Sequence, residues 1–222
     1  MSKIRVFISS VQKEFSGERL MLFNFLMSDP LLGLFFEPFI FEKMPAVEHS
    51  VSEVYLSEVE RSDIYLGLYG RTYGFEDIEG ISPTEREFDY ADRLHKTKII
   101  FISSSCDSER EEKERALIKK VENSVVRKSF SSQAELKASV YTSLVRYLEE
   151  HEYIRTSPFD ATLNKVATEK DIDSEKIENF LIRAKKKRNF GLSKNLDTNT
   201  VLTHLNLRQN NQYTNAGYSS LW

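Results

Sequence analysis

The stretches "KIRVFISS", "DIYLGLYG" and "KIIFIS" constrain the fold more than any other feature of the chain. In each, β-branched, aliphatic and aromatic residues follow one another almost without a polar break. A strand with one wet face alternates apolar and polar residues, whereas a strand apolar on both faces belongs to a parallel sheet covered by helices on either side. The segments between these runs have helical spacing. "EFSGERLMLFNFLMSD" carries Leu20, Phe23 and Met27 as its apolar stripe and ends before Pro30. "SVSEVYLSEVERS" places Val51, Val54, Tyr55 and Val59 on one side. "LFFEPFIFE" reads as another strand, with Pro38 marking an edge position. "VVRKSF" reads as a fifth, and "SSQAELKASVYTSLVRYLEEH" as a closing helix with Leu136, Val140, Leu144 and Leu148 in register. The alternation predicts an α/β domain over residues 1–151, a parallel sheet of about five strands flanked by helices.

Beyond His151 the pattern changes. "EYIRTSPFDATLNKVATEKD" has no strong period and reads as a linker over 152–172. Residues 173–222 read as a helical tail. Ile177, Phe180, Leu181 and Ala184 share one face of its first helix, with Asp173 or Ser174 as the cap. The basic run Lys185 to Arg188 suits a solvated helix end, where cations complement the dipole.

Composition excludes several classes. A net charge of −3 argues against a nucleic-acid binder acting through overall charge, and DNA binding is not expected of this chain alone. The single cysteine, Cys106, forms no internal disulfide and fits a reducing cytoplasm. The chain lacks an apolar run of membrane-spanning length and a basic-then-apolar start, so a cytoplasmic protein with no membrane partner is expected. The four histidines are scattered, with no H-E-x-x-H or C-x-x-C, so no metal is expected. Neither a G-x-x-x-x-G-K-[ST] loop nor a G-x-G-x-x-G fingerprint occurs. The charged segment "CDSEREEKERALIKKVEN" reads as a solvent-exposed helix.

In open α/β sheets ligands gather at the carboxyl ends of the strands. Here those ends are Ser9–Ser10, Gly67 to Tyr73 and Ser103–Ser105. Serines and glycines there let backbone N–H groups approach a phosphate. The helix that follows, "SPTEREFDYA", starts with Ser82 as N-cap and Pro83 in the first turn. Glu85 then completes a capping box, which accounts for that acid. Glu87 falls inside the sheet-facing stripe of Thr84, Phe88, Ala91, Leu94 and His95. A carboxylate there is costly unless it is paired, protonated or open to a cavity. Two readings stand side by side, a working acid over an opening and a boundary glutamate bonded to a neighbour such as Arg71.

Together "IRVFISSVQKEFSGER", "DIYLGLYGRTYG" and "SPTEREFDYA" resemble a bacterial TIR-like family of unknown function. Its members open with V-F-I-S-S and carry an S-x-T-E-x-E-x-x-x-A helix; the resemblance spans roughly residues 3 to 150. It implies a flavodoxin/TIR-like sheet. Many TIR domains cleave the glycosidic bond of NAD with a glutamate on the helix after the third central strand, which maps onto Glu87, with Phe88 and Ala91 as its companions. The resemblance implies Glu87 as the catalytic acid and Phe7, Ser9, Ser10, Gly70, Arg71 and Tyr73 around the ligand. It implies NAD as substrate, no resident cofactor, a nucleotide ligand, self-association, and a place in a regulatory or defence protein. The tryptophan–cysteine pair common before the TIR glutamate is here Thr84–Glu85, which leaves a non-catalytic interaction module as the alternative. The tail, from "KIENFLIRAKKKRNFGLSKN" to "TNAG", resembles the linker region of RecG-related putative transcriptional regulators. That family continues as an apolar strand where this chain stops at Trp222, so a truncated version or fragment is expected.

Overall fold

The computed structural model describes residues 2–44, 51–104, 107–156, 158–188 and 197–219. The chain forms two compact units, Met1–Tyr147 and Leu148–Trp222. The first is built on strands β1 (Ile4–Ser10), β2 (Phe36–Phe39), β3 (Ile64–Tyr69), β4 (Thr97–Ser103) and β5 (Arg127–Phe130). Its helices are α1 (Gln12–Ser28), the single turn α2 (Leu32–Phe35), α3 (Val51–Arg61), α4 (Pro83–Arg93), α5 (Glu112–Ser124) and α6 (Gln133–Glu150). The last turn of α6 runs past the end of this unit.

All five strands are parallel, in the order β2-β1-β3-β4-β5. The chain starts in the interior at β1, builds β2 on one side, then crosses to β3 on the other. The crevice between the carboxyl ends of β1 and β3 is therefore the topological switch point. Every residue of β3 is buried, as its unbroken apolar run requires. Pro38 lies in β2, opposite Val6, and β2 is an edge strand.

One apolar cluster joins Phe7, Tyr65, Tyr69, Ile100 and Ile102 of the sheet to Phe88 and Ala91 of α4 and to Leu117, Ile118 and Val121 of α5. Leu136, Val140 and Leu144 of α6 are fully buried, as their spacing predicts. Two helical faces differ from the expectation. In α1 the buried residues are Phe15, Arg19, Leu22 and Leu26, while Leu20 and Met27 are about half exposed at 44% and 52%. Apolar residues surround that helix and the buried stripe contains an arginine, so hydrophobicity alone selects the wrong side. In α5, expected to be solvent-exposed, Glu114, Leu117, Ile118 and Val121 are buried. The charges conceal an apolar stripe at i, i+1 and i+4.

The second unit contains α7 (Ser174–Arg188), α8 (Thr198–His204), a hairpin of β6 (Arg208–Gln209) and β7 (Gln212–Tyr213), and α9 (Asn215–Ser219). Its core is Ile172, Ile177, Leu181, Val201, Leu202 and Tyr213. Phe180, expected on the same face as Ile177 and Leu181, is 45% exposed. The segment read as a linker supplies Ile172 to that core and a bridge from Leu163 to Thr214. Asp173 caps α7 by accepting from the N–H groups of Glu175 and Lys176. Ser105, Cys106 and Trp222 lie outside the described residues. Among the described residues no helix is long and apolar enough to cross a membrane.

The two faces of α1 give opposite expectations for truncation. Leu22→Ala, in the fully buried stripe, is expected to cost about 2–5 kcal/mol. Leu20→Ala is expected to cost less than about 1 kcal/mol. Urea denaturation of both variants checks the assignment, and a reversed order contradicts it.

Candidate active site

Glu87 enters the site from α4. Ser82 caps that helix by accepting from the Glu85 N–H at 3.2 Å, and Pro83 follows in the first turn. The stripe Thr84, Glu87, Phe88 and Ala91 is buried against the sheet. Leu94 is only half-buried. His95 is exposed and adopts a left-handed φ of 53° just past the helix, so the stripe ends at Ala91. The capping box is only half formed. Glu85 does not return to the Ser82 N–H, which donates instead to the Tyr73 hydroxyl at 3.2 Å. The Glu85 carboxylate accepts from the Tyr73 hydroxyl and from Lys120. Burial alone would raise the Glu85 pKa, but these two partners hold it below its ordinary value.

Glu87 is only 5% exposed and does not stand free. Its Oε2 accepts from the Ser9 hydroxyl at 2.5 Å, which bridges α4 to the carboxyl end of β1. Burial pushes its pKa up, the Ser9 bond and the Arg19 charge pull it down, and the balance falls at about 7. The carboxylate therefore exchanges its proton near neutrality.

Arg71, the partner considered from sequence, does not pair with Glu87. It is exposed and faces Glu14 at 3.9 Å and Glu109 at 3.6 Å. The cation on the Glu87 side is Arg19, only 2% exposed, which the sequence reading missed. Its Nη1 donates to the Ile8 carbonyl at 3.0 Å and to Ser10 Oγ at 3.2 Å. Its Nε and Nη2 form a fork to Glu42 at 2.6 and 2.8 Å. Burial, the largest single influence, raises the Glu42 pKa, but the Arg19 bonds, a backbone hydrogen bond and the Arg19 charge together hold it below its ordinary value. Tyr55 of α3 also feels the Glu87 charge.

The other residues expected at the site occupy different surroundings. Phe7 is fully buried, stacked between Phe39 and Tyr65 at centroid distances of 5.7 and 6.3 Å. Ser9 and Ser10 lie beside Glu87 and Arg19 respectively. Gly70, Arg71 and Tyr73 belong to a loop whose backbone donors are taken by the chain's own acids. Gly70 N–H donates to Glu114 at 3.0 Å, and Arg71 and Thr72 donate to Glu14 at 2.8 and 3.0 Å. Tyr73 N–H donates to Glu111 at 2.7 Å. A Cβ at Gly70 would meet the Glu14 carboxylate and, at 2.7 Å, the Phe15 ring, so a larger residue would displace the acid that holds this loop. Burial lifts the Glu114 pKa to about 8 against the Gly70 bond, and neighbouring Glu14 adds to the rise. Among the described residues no group of three or more His, Cys, Asp and Glu is placed to hold a metal ion.

The sheet order and the helices on it make this unit a flavodoxin/TIR-like α/β fold. Residues 5–145 match a family described as a domain of unknown function, DUF4062, and the chain belongs to that family. The matched region stops before the tail, and the tail's expected likeness to RecG-related regulators finds no support in the family match. No curated protein matches the chain. Among solved structures it is similar to the Clostridium botulinum CMP N-glycosidase BcmB, at 15% identity and a TM-score of 0.41, over 65% of this chain and 99% of that one. A conserved protein from Enterococcus faecalis V583 has 9% identity and a TM-score of 0.40, over 64% and 99%. The TIR domains of the activated Roq1 resistosome, which recognises the pathogen effector XopQ, have 14% identity and a TM-score of 0.36, over 82% and 99%.

The raised pKa of Glu87 ties the stability of the fold to pH. The native state holds this proton more tightly than the unfolded chain, whose glutamates titrate near 4.5. Stability is thus fully present below about pH 4.5, falls as pH rises through about 7, and then levels off. The full fall is about 3 kcal/mol. Relative to wild type, Glu87→Gln is expected to gain that amount in unfolding free energy between pH 4.5 and 8. Chemical denaturation across that range measures it, and a constant difference between the two proteins contradicts it.

Proposed function

We propose that this chain is a nucleotide-processing module that cleaves the N-glycosidic bond of NAD or a related nucleotide, with Glu87 as the acid that meets the sugar. One observation carries the reading: a carboxylate only 5% exposed, bonded to Ser9 at the carboxyl end of β1, lies at the switch point of a parallel sheet, where such sheets take ligands, and burial pushes its pKa up to about 7. In the reaction the bond from the anomeric carbon to the base nitrogen breaks and its electron pair leaves with the base. The ribosyl carbon becomes positive. Ionised Glu87 either stabilises that charge or bonds to the carbon. Water then supplies hydroxide to the carbon, displacing the carboxylate if it has bonded, and releases a proton.

The neighbouring residues take supporting parts. Ser9 orients the carboxylate, and Ser10 sits at the same end of β1. Exposed Arg71 offers a cation to the phosphates, on the loop of Gly70 and Tyr73. Phe7 and Tyr73, buried at 0% and 3%, shape the wall and do not stack on a base. Tyr55, partly exposed, feels the Glu87 charge, and partly exposed Glu42 pairs with Arg19, so a ligand that reaches the carboxylate is expected to meet these two groups. A setting in a bacterial regulatory or defence protein accords with this reading.

The test is NAD and nucleoside monophosphate consumption by the pure chain. Turnover is expected to rise as pH passes about 7 and Glu87 ionises. Glu87→Gln is expected to lose about 100-fold or more. Absence of turnover at every concentration, or equal turnover by the variant, overturns the reading.

A second reading, a non-catalytic interaction module, is favoured by the 5% exposure of Glu87. It expects concentration-dependent self-association. A strictly monomeric protein by light scattering counts against it.

A further inference from the structure

Arg19 is a buried cation whose partners are of two kinds. On one side its Nη1 donates to the Ile8 carbonyl at 3.0 Å and to Ser10 Oγ at 3.2 Å, which anchors the guanidinium to the carboxyl end of β1. On the other, Nε and Nη2 aim a fork at the two oxygens of Glu42, at 2.6 and 2.8 Å. The anchor belongs to an interior strand, whereas the acid stands on the single turn Phe41–Lys43 that follows the edge strand β2. The Arg19 side chain is 2% exposed and that of Glu42 is 35% exposed. The fork is thus held in place from within, and the anion now filling it is the part that water reaches.

Two parallel N–H groups meeting two oxygens of one partner is the geometry by which a guanidinium takes a phosphate as readily as a carboxylate. A dry setting strengthens such bonds. Exposed Arg71 faces its acids at 3.9 and 3.6 Å, too far for a fork. The backbone donors of Gly70 to Tyr73, at the same end of the sheet, are already given to Glu114, Glu14 and Glu111.

Energetics allow an exchange at the fork. A buried ion pair nets little stability, because the cost of drying two charges cancels most of their attraction, and the large loss comes when one charge is left alone. A phosphate in the place of Glu42 keeps Arg19 paired and returns the acid to water. It also brings up to two negative charges where the carboxylate brings one. The fork lies close to the Glu87 carboxylate. Burial first, and then the charges of Glu87, Arg19 and Glu42, act on the Tyr55 hydroxyl, and the Arg19 charge reaches Glu87 itself.

We propose that the Arg19 fork is the phosphate subsite of the nucleotide, and that Glu42 fills it as an internal stand-in which the phosphate displaces. The proposal rests on the reading of Glu87 as the acid that meets the ribose, and it names what the same end of the sheet recognises beside the sugar. Arg19 binds the ligand and takes no part in bond cleavage. Glu42 competes with every phosphate ligand, so the apparent affinity is lower than that of the open fork.

The experiment is calorimetric titration of the full chain with AMP, adenosine and inorganic phosphate, in the Glu87→Gln background so that no ligand is consumed. AMP is expected to bind about 10-fold or more tightly than adenosine. Adding Glu42→Gln is expected to tighten AMP and inorganic phosphate by about 10-fold and to leave adenosine unmoved. Adding Arg19→Lys, which keeps the charge and loses the fork, is expected to bring AMP to within about twofold of adenosine. Glu122→Gln, which releases exposed Arg127 from its acid, should change none of these affinities. Equal binding of AMP and adenosine, or a gain in Glu122→Gln as large as in Glu42→Gln, overturns the proposal. If Glu42→Gln is unstable because Arg19 has lost its counter-charge, inorganic phosphate is expected to raise its urea midpoint more than that of the parent, and an unmoved midpoint overturns the proposal. If the affinities move as stated but the wild-type chain consumes no nucleotide, the subsite stands and the catalytic reading falls. Turnover by wild type with no gain in Glu42→Gln keeps the catalytic reading and overturns the subsite.

Discussion

The contact between Ser9 and Glu87 is the constraint on which the rest of the site depends. It joins the carboxyl end of β1 to the helix that follows β3, across the crevice where the strand order turns. Loss of hydration around the carboxylate is costly, and the Ser9 bond and the Arg19 charge only partly offset the cost, which is why the proton is held until about pH 7. A glutamine would fill the same space without that penalty. A buried acid that carries this penalty is a candidate for chemistry.

The surrounding charges are arranged so that most are already spent. Arg19 gives all its reach to Ile8, Ser10 and Glu42, leaving only its field to act on Glu87. On the loop after β3, the N–H groups of Gly70, Arg71, Thr72 and Tyr73 are taken by Glu114, Glu14 and Glu111. That loop is held in place by carboxylates from α1 and from α5 and the residue before it. Tyr73 extends the brace to α4 through Ser82 and Glu85. The position of Glu87 is thus set from both ends of its helix's entry, by Ser9 above and by the Tyr73 brace at the cap.

Much of the fold is legible in the sequence because parallel strands buried on both faces leave a strong signature. The run Ile64–Tyr69, the edge position of Pro38 and the stripe of α6 all follow from it. Glu87 is legible for a related reason, as an acid inside an apolar stripe. What was hidden depends on partners distant in sequence. Arg19 breaks the buried stripe of α1 and looks like a surface charge until Glu42, on another element, is placed against it. Glu114 is lost in a run of charges, and only contact with Gly70 sets it apart. Glu85 shows the reverse error: a local motif accounted for it fully, yet its carboxylate went to Tyr73 and Lys120.

The most direct measurement is a crystal structure of Glu87→Gln soaked with NAD. With turnover blocked, the nicotinamide ribose is expected in the crevice between β1 and β3, with its anomeric carbon against residue 87. NAD bound elsewhere, with residue 87 still buried and bonded to Ser9, would contradict it.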